Sequence, residues 1–428
     1  MSNIASEYES INMSFQIKLE DVLAAAERLK GVAYHTALTR YYQYSEAYGC
    51  NLFLKREDLQ KVRSYKIRGA YNFMSTQPAE TLKKGVVCAS AGNHAQGVAF
   101  CCELLKVKGV IFMPATTPKQ KIAQVRMFGK DQIEVVLGGD TFDDAFDSAQ
   151  SYCSEHGLTF IHPFDDLQII HGQATVGKEI VEDFDGKIDY LFLPVGGGGL
   201  ASGVGSYVKK ISPQTKIIGV EPEGAAGMQE SIKAGKVVKL HEIEKFVDGA
   251  AVAQVGELNF QICKQVLDDI ITIPEGHVCS WILRLYGEEA IVVEPAGALS
   301  IAALDYYKEE IRGKNVVCVL SGSNNEIDRM QEIKERSLIY EGLKYYLIVK
   351  FPQRAGALRE FLDDVLGPDD DITYFDYSKK NNKEAGPAVV GLELKKKTDF
   401  APLLERLNTK QIRYKILNDD PDLFEYFI

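Results

Sequence analysis

The chain has no C-x-x-C pair. Its eight cysteines (50, 88, 101, 102, 153, 263, 279 and 318) show no Cys/His spacing of a metal site. Cys88 and Cys318 fall in apolar, strand-like runs, where cysteine acts as a small hydrophobe, so the set reads as reduced thiols of a cytoplasmic protein. No leader is expected either. Met1 to Ser10 is polar and acidic, without a basic start or an apolar centre, and no apolar run is long enough to span a bilayer. A basic excess is also missing. Lysine and arginine number 49 against 60 acidic residues, a net charge of −11, which argues against nucleic acid or an anionic membrane as partner.

What is present is a large core and a rhythm. At 428 residues, 46% hydrophobic and 25% charged, the chain is long enough for two or three domains. From about Val86 to Ser321, short apolar runs alternate with helical patterns. Gly85–Ala89, Gly109–Met113, Ile133–Leu137, Ile188–Leu193 and Asn315–Leu320 read as strands. Asn93–Leu105, Pro118–Phe128, Thr141–His156 and Leu200–Ile211 read as the helices between them. Strands apolar on both faces and linked by helices predict parallel sheets covered on both sides, an α/β fold. After the charged joint Lys334–Ser337 the order becomes strand, helix, strand, strand, helix, strand. This predicts a separate ferredoxin-like α+β domain of about 90 residues.

Four motifs carry chemistry. Gly196-Gly197-Gly198-Gly199-Leu200 follows a strand and opens a helix. Glycines without Cβ let several N–H groups turn toward one anion, and the helix adds its positive end. A dinucleotide fingerprint over Gly196, Gly198 and Ala201, with Glu221 as the ribose acid, is a second reading and would make the chain a nicotinamide-dependent dehydrogenase. A P-loop is excluded because no Lys-Ser/Thr follows the glycines. Ser64-Tyr65-Lys66-Ile67-Arg68-Gly69-Ala70 puts a lysine among apolar and aromatic neighbours, where it can lose its proton and act as nucleophile or base. Alone, it also reads as a surface lysine opening a helix. Ser90-Ala91-Gly92-Asn93-His94 joins a strand to a helix and suits a carboxylate, or is a plain capped turn. Ser321 stands at the carboxyl edge of a buried strand, as a ligand group or a capping serine.

Together these motifs resemble the fold-type II pyridoxal-phosphate enzymes, and among them the threonine dehydratases, from about Leu19 to Met330. The resemblance implies a tryptophan synthase β-like region over residues 1–335. Its smaller subdomain, about 60–160, would be inserted in the larger one. Residues 336–428 resemble the ACT-like regulatory module of biosynthetic members. By resemblance, Lys66 holds pyridoxal 5'-phosphate and is the catalytic base, and Asn93 bonds the cofactor ring oxygen. Gly196, Gly197, Gly198, Gly199 and Leu200 take its phosphate, and Ser321 faces its ring nitrogen. Ser90, Gly92 and His94 would clasp the substrate carboxylate.

The activity so implied is β-elimination of L-threonine, with L-serine secondary, opening isoleucine synthesis. Isoleucine, with valine as a further candidate, would inhibit through the C-terminal domain, and the assembly would be a homotetramer. A serine dehydratase or serine racemase is the nearest alternative. Racemases carry a serine where this chain has Ala91, which cannot move a proton. The acid that completes their cation site falls at Gly227, so no metal is expected.

Overall fold

The computed structural model describes residues 17–377, 384–418 and 420. The reading of residues 1–10 as free of a leader lies outside them. The chain divides into two compact units, residues 1–275 with 288–326, and residues 276–287 with 327–428. Among the described residues no helix is long and apolar enough to cross a membrane.

The first unit holds two sheets. The larger runs in the order Leu38–Arg40, Asn51–Arg56, Asn315–Leu320, Tyr190–Pro194, Lys216–Pro222, Asp269–Ile273. Only the first pair is antiparallel. The smaller sheet, in the order Ile133–Leu137, Gly109–Met113, Val86–Ala89, Thr159–Phe160, is wholly parallel. The expected parallel α/β architecture is therefore present, and its reason is visible in the strands. Leu191, Phe192, Leu193, Val317 and Val319 are all buried, whichever face of the sheet they point to. The early strand Asn51–Arg56 lies beside the late strand Asn315–Leu320, so both ends of the unit's chain close one sheet.

Helices cover the large sheet by close backbone approach. A Cβ on Gly172 would stand 2.5 Å from the carbonyl oxygen of Arg68, and one on Gly203 2.5 Å from that of Ile170. The helices Lys66–Thr76, Leu167–Asp183 and Gly199–Ile211 thus meet where glycine leaves room. That contact fixes the start of the helix that opens with Lys66.

The second unit has an antiparallel sheet in the order Asp371–Tyr377, Ala385–Glu393, Lys344–Pro352, Tyr414–Ile416. The helices Ala357–Asp364 and Phe400–Thr409 join these strands. Phe361, Leu403 and Leu407 pack with Leu347, Val349, Val390 and Leu392 in a single core. This is the ferredoxin-like order expected from the sequence. The helix Glu275–Glu289, drawn from far earlier in the chain, falls for most of its length in this unit.

Candidate active site

Parallel sheets gather loops at the carboxyl ends of their strands. In the first unit these loops border one cleft of about 1050 Å³. Lys66, Ser90, Gly92, Asn93, His94 and the run Gly196–Leu200 all line it. Residues more than a hundred positions apart are thereby brought together. Ser321 is buried just after the strand Asn315–Leu320 and does not line the cleft. Its hydroxyl donates to the carbonyl of Ala296 at 3.3 Å, and its own carbonyl accepts the N–H of Tyr65, next to Lys66, at 3.2 Å.

Lys66 is the first residue of its helix, and its Nζ donates to the carbonyl of Pro163 at 2.9 Å. Burial pushes its pKa down from the ordinary 10.5 to about 8, with the nearby carboxylate of Glu294 acting the other way. About a tenth of these side chains is therefore neutral at pH 7 and about half at pH 8, as a base or nucleophile requires.

The glycine run behaves as its composition suggests. The helix starts at Gly199, inside the run, after Gly198 takes the left-handed conformation at φ 95°. A Cβ on Gly197 would stand 2.4 Å from the ring of Phe164. The backbone therefore lies flat on that ring, which any side chain would prevent. Among the described residues, none of the N–H groups from Gly196 to Ala201 finds a protein acceptor. A row of unpartnered donors, mostly buried, at the positive end of a 13-residue helix fits an anion.

The loop after Val86–Ala89 is held by long-range bonds. His94 donates Nε2–H to the carbonyl of Ile161 at 2.9 Å. Burial, together with Lys66, lowers its pKa to about 3, so the ring is neutral. The ring's single proton is spent on the protein frame, so Nδ1 has none to give a carboxylate, and His94 braces the loop where the resemblance had it clasp the substrate. Asn93 donates Nδ2–H to Glu294 Oε1 at 2.6 Å.

Sequence reading missed Glu294. It is 4% exposed, and burial, helped by Asp248, raises its carboxyl to about 7. It accepts from Asn93 and from the N–H of Asn324 at 3.1 Å. One acid in Val292-Val293-Glu294-Pro295-Ala296 was the available signal, since a carboxyl in an apolar run is rarely buried without a role. His162 and Phe164 were missed as well, because their importance comes from contacts with Lys66's neighbourhood and with the glycines.

Glu221 settles differently from the dinucleotide reading. It is wholly buried, and its two oxygens accept the N–H groups of Met228 at 2.7 Å and Gln229 at 2.8 Å. Both oxygens serve the start of the helix Gly227–Ala234, so neither is open to a ribose.

Comparison with known proteins completes the picture. Residues 29–322 match the family model of pyridoxal-phosphate dependent enzymes. Residues 335–427 match the C-terminal regulatory domain of threonine dehydratase. A biosynthetic L-threonine dehydratase of Halalkalibacterium halodurans is 59% identical over 413 residues, covering 96% of this chain and all of the relative. That of Bacillus subtilis is 59% identical over 412 residues, covering 96% of this chain and 98% of the relative. Among solved structures, the processed form of threonine deaminase isoform 2 from Solanum lycopersicum aligns with TM-score 0.72 at 41% identity, covering 77% of this chain and 89% of its own. Maize serine racemase aligns with TM-score 0.70 at 28% identity, covering 76% and 99%. Matches over both the long N-terminal part and the short C-terminal part, at such identity and nearly from end to end, show that this chain belongs to the biosynthetic threonine dehydratases, pyridoxal-phosphate enzymes with a C-terminal regulatory domain.

Proposed function

We propose that this chain converts L-threonine to 2-oxobutanoate and ammonium, the first committed step of isoleucine synthesis, and that isoleucine inhibits it through the C-terminal unit. The observation that carries the reading is one cleft holding both a lysine with a depressed pKa and a row of unpartnered glycine N–H groups. We take residues 1–335 as the catalytic part and 336–428 as the regulatory part, in a cytoplasmic homotetramer.

The cleft fits pyridoxal phosphate. The N–H groups of Gly196 to Leu200 supply donors for its phosphate, and Lys66 the amine that holds its carbonyl carbon. Asn93 and Ser321 are the proposed partners of its ring oxygen and ring nitrogen. When bound, this cofactor supplies a sink for the electron pair left when a proton leaves the carbon beside the amine. The rest falls to the chain. Ser90, Gly92 and the amides opening the helix Asn93–Leu105 orient the substrate carboxylate, while His94 braces that loop. Neutral Lys66 takes the Cα proton. The Cβ–O bond then breaks, and its oxygen takes up the proton that Lys66 has just accepted and departs as water. The released enamine hydrolyses to the 2-oxo acid and ammonium. Ser321 would have to turn its hydroxyl from the carbonyl of Ala296 to reach the ring nitrogen; a hydroxyl there, in place of a carboxylate, would favour prompt elimination over a long-lived carbanion. Ala91, which lines the cleft, has no proton to give to an opposite face, so elimination is favoured over racemisation.

Incubation with threonine or serine, with 2-oxo acid measured, tests the reading. Threonine should yield 2-oxobutanoate, and isoleucine should make the threonine curve sigmoidal and shift it to higher concentration. No oxo acid from either substrate would overturn the activity, and a curve indifferent to isoleucine would overturn the regulation. A second expectation concerns the cofactor-free chain. Its rate of uptake of pyridoxal phosphate should rise as pH passes about 8, because only the neutral amine of Lys66 attacks a carbonyl. An inflection near the ordinary lysine value would contradict the pocket's effect on this amine.

A further inference from the structure

His162 has no part in the chemistry above, yet it stands beside every element of it. It follows the strand Thr159–Phe160, which pairs with the strand leading to the Ser90–His94 loop. The residue before it, Ile161, accepts from His94, and the residue after it, Pro163, accepts from Lys66. Two residues on, Phe164 lies under Gly197 and Gly199. The imidazole is set edge-on against Phe146 and Phe164, with ring centroids 5.9 and 4.8 Å away, and both phenyl rings line the cleft with it.

The ring's tautomer is fixed by its bonds. Nδ1 accepts the N–H of Asp165 at 2.7 Å and the N–H of Phe164 at 3.2 Å. A nitrogen that accepts twice carries no proton, so in the neutral ring the proton sits on Nε2. Burial, reinforced by Lys66, keeps the ring neutral, with its pKa lowered to about 4. Nε2–H has no acceptor among the described residues, and the side chain borders the cleft. The result is a rigid, uncharged donor on an aromatic wall, between the proposed base and the anion cradle.

We propose that His162 donates Nε2–H to the β-hydroxyl of the 2-amino-3-hydroxy acid substrate, and so selects and orients the group that leaves. This rests on the reading of the preceding section. The carboxylate is already provided for by the Ser90–His94 loop, and the amine by the Lys66 site. The side-chain oxygen is the substrate acceptor left over, and its carbon must stand near Lys66 once the Cα proton is within reach. The phenyl rings of Phe146 and Phe164 offer apolar contact to the methyl group of threonine on the same wall.

The test uses a ligand pair that cannot react, since both members lack the amine: 2,3-dihydroxybutyrate, with the β-hydroxyl, and 2-hydroxybutyrate, without it. The variant His162→Asn keeps an acceptor for the Phe164 and Asp165 amides but removes the cleft-facing donor. By calorimetry on the full-length holoenzyme, the dihydroxy acid should bind the unmodified protein about tenfold more tightly than its partner. It should lose that preference in His162→Asn, while 2-hydroxybutyrate and pyridoxal phosphate bind as before. His162→Phe, which keeps a ring against Phe146 and Phe164 but carries no donor, serves as a second variant should the first not fold. An unchanged preference overturns the assignment. So does an equal weakening of both acids, which marks a structural role, or weakened cofactor retention with the preference intact, which assigns the N–H to the phosphate. The pair binds without turnover, so the outcome is separate from that of the activity. If the unmodified protein makes no 2-oxo acid, the reading of the preceding section fails while this comparison still decides the role of His162.

Discussion

Lys66→Ala should lower 2-oxobutanoate formation by about ten-thousand-fold, since it removes both the proposed base and the anchor of the cofactor. The fold should survive. The amine's one hydrogen bond goes to the carbonyl of Pro163, which borders the open cleft and can turn to water instead. The stability argument has a definite sign. A lysine whose folded pKa lies below its unfolded value holds fewer protons when folded, so in the cofactor-free chain it contributes a cost fully present below pH 8. That cost fades as pH rises from 8 to 10.5. Removing it should leave the thermal midpoint of the cofactor-free protein at pH 7 unchanged or higher. A variant that retains turnover would dismiss Lys66 as the base. One that loses turnover only by unfolding would remove the evidence for a chemical role.

The second large effect is expected two residues along the same helix. Arg68 is 1% exposed, and its guanidinium forks between two buried carboxylates. It reaches Glu57 at 2.7 and 2.8 Å and Glu179 at 2.6 and 2.8 Å. Lys55, wholly buried, bonds the same Glu179 at 2.6 Å and stands 3.7 Å from Asp183, so two cations face three carboxylates. Arg68→Met would take away the cation that Glu57 is paired with and leave Lys55 alone with Glu179 and Asp183. Breaking a buried pair in this way costs about 3–5 kcal/mol. The thermal midpoint should fall by roughly 10 °C. Combining Arg68→Met with Glu57→Gln should return part of the loss, because the stranded charge goes with it. Burial alone would raise the Glu179 carboxyl, but Arg68 and Lys55 more than offset this and hold it below its ordinary value. Its contribution is therefore present above the unfolded pKa and lost as pH falls through the folded one, and Arg68→Met should flatten that acid-side slope. A midpoint within 2 °C of the unmodified protein would show that the network is solvated or dispensable. Because the same arginine belongs to the first turn of the Lys66 helix, cofactor retention should weaken along with stability.

These residues mark where sequence reading stops. The buried parallel strands were legible because a sheet covered on both faces takes apolar side chains at successive positions, as in Leu191–Leu193 and Val316–Leu320. The glycine run was legible because so dense a cluster has few other uses. The charge network was not. Its members come from residues 55, 57, 68 and 179, and nothing local distinguishes them from solvated surface charges. Arg68 lay inside a quoted motif, yet its partners depended on the close packing of its helix against Leu167–Asp183. The same holds for Glu294, whose bond to Asn93 spans 201 positions. His162 becomes a fixed donor only through the turn that aims the amides of Phe164 and Asp165 at its ring. Glu221 could be read from sequence as an open acid, because the two amides that occupy it belong to a short helix that periodicity did not reveal.

The most direct test of the account is to reduce the protein, as isolated with pyridoxal phosphate, with borohydride and to map its peptides. The account predicts a single stable adduct on Lys66, within the peptide that spans Ser64 to Ala70. An adduct on another lysine, or none at all, would contradict it.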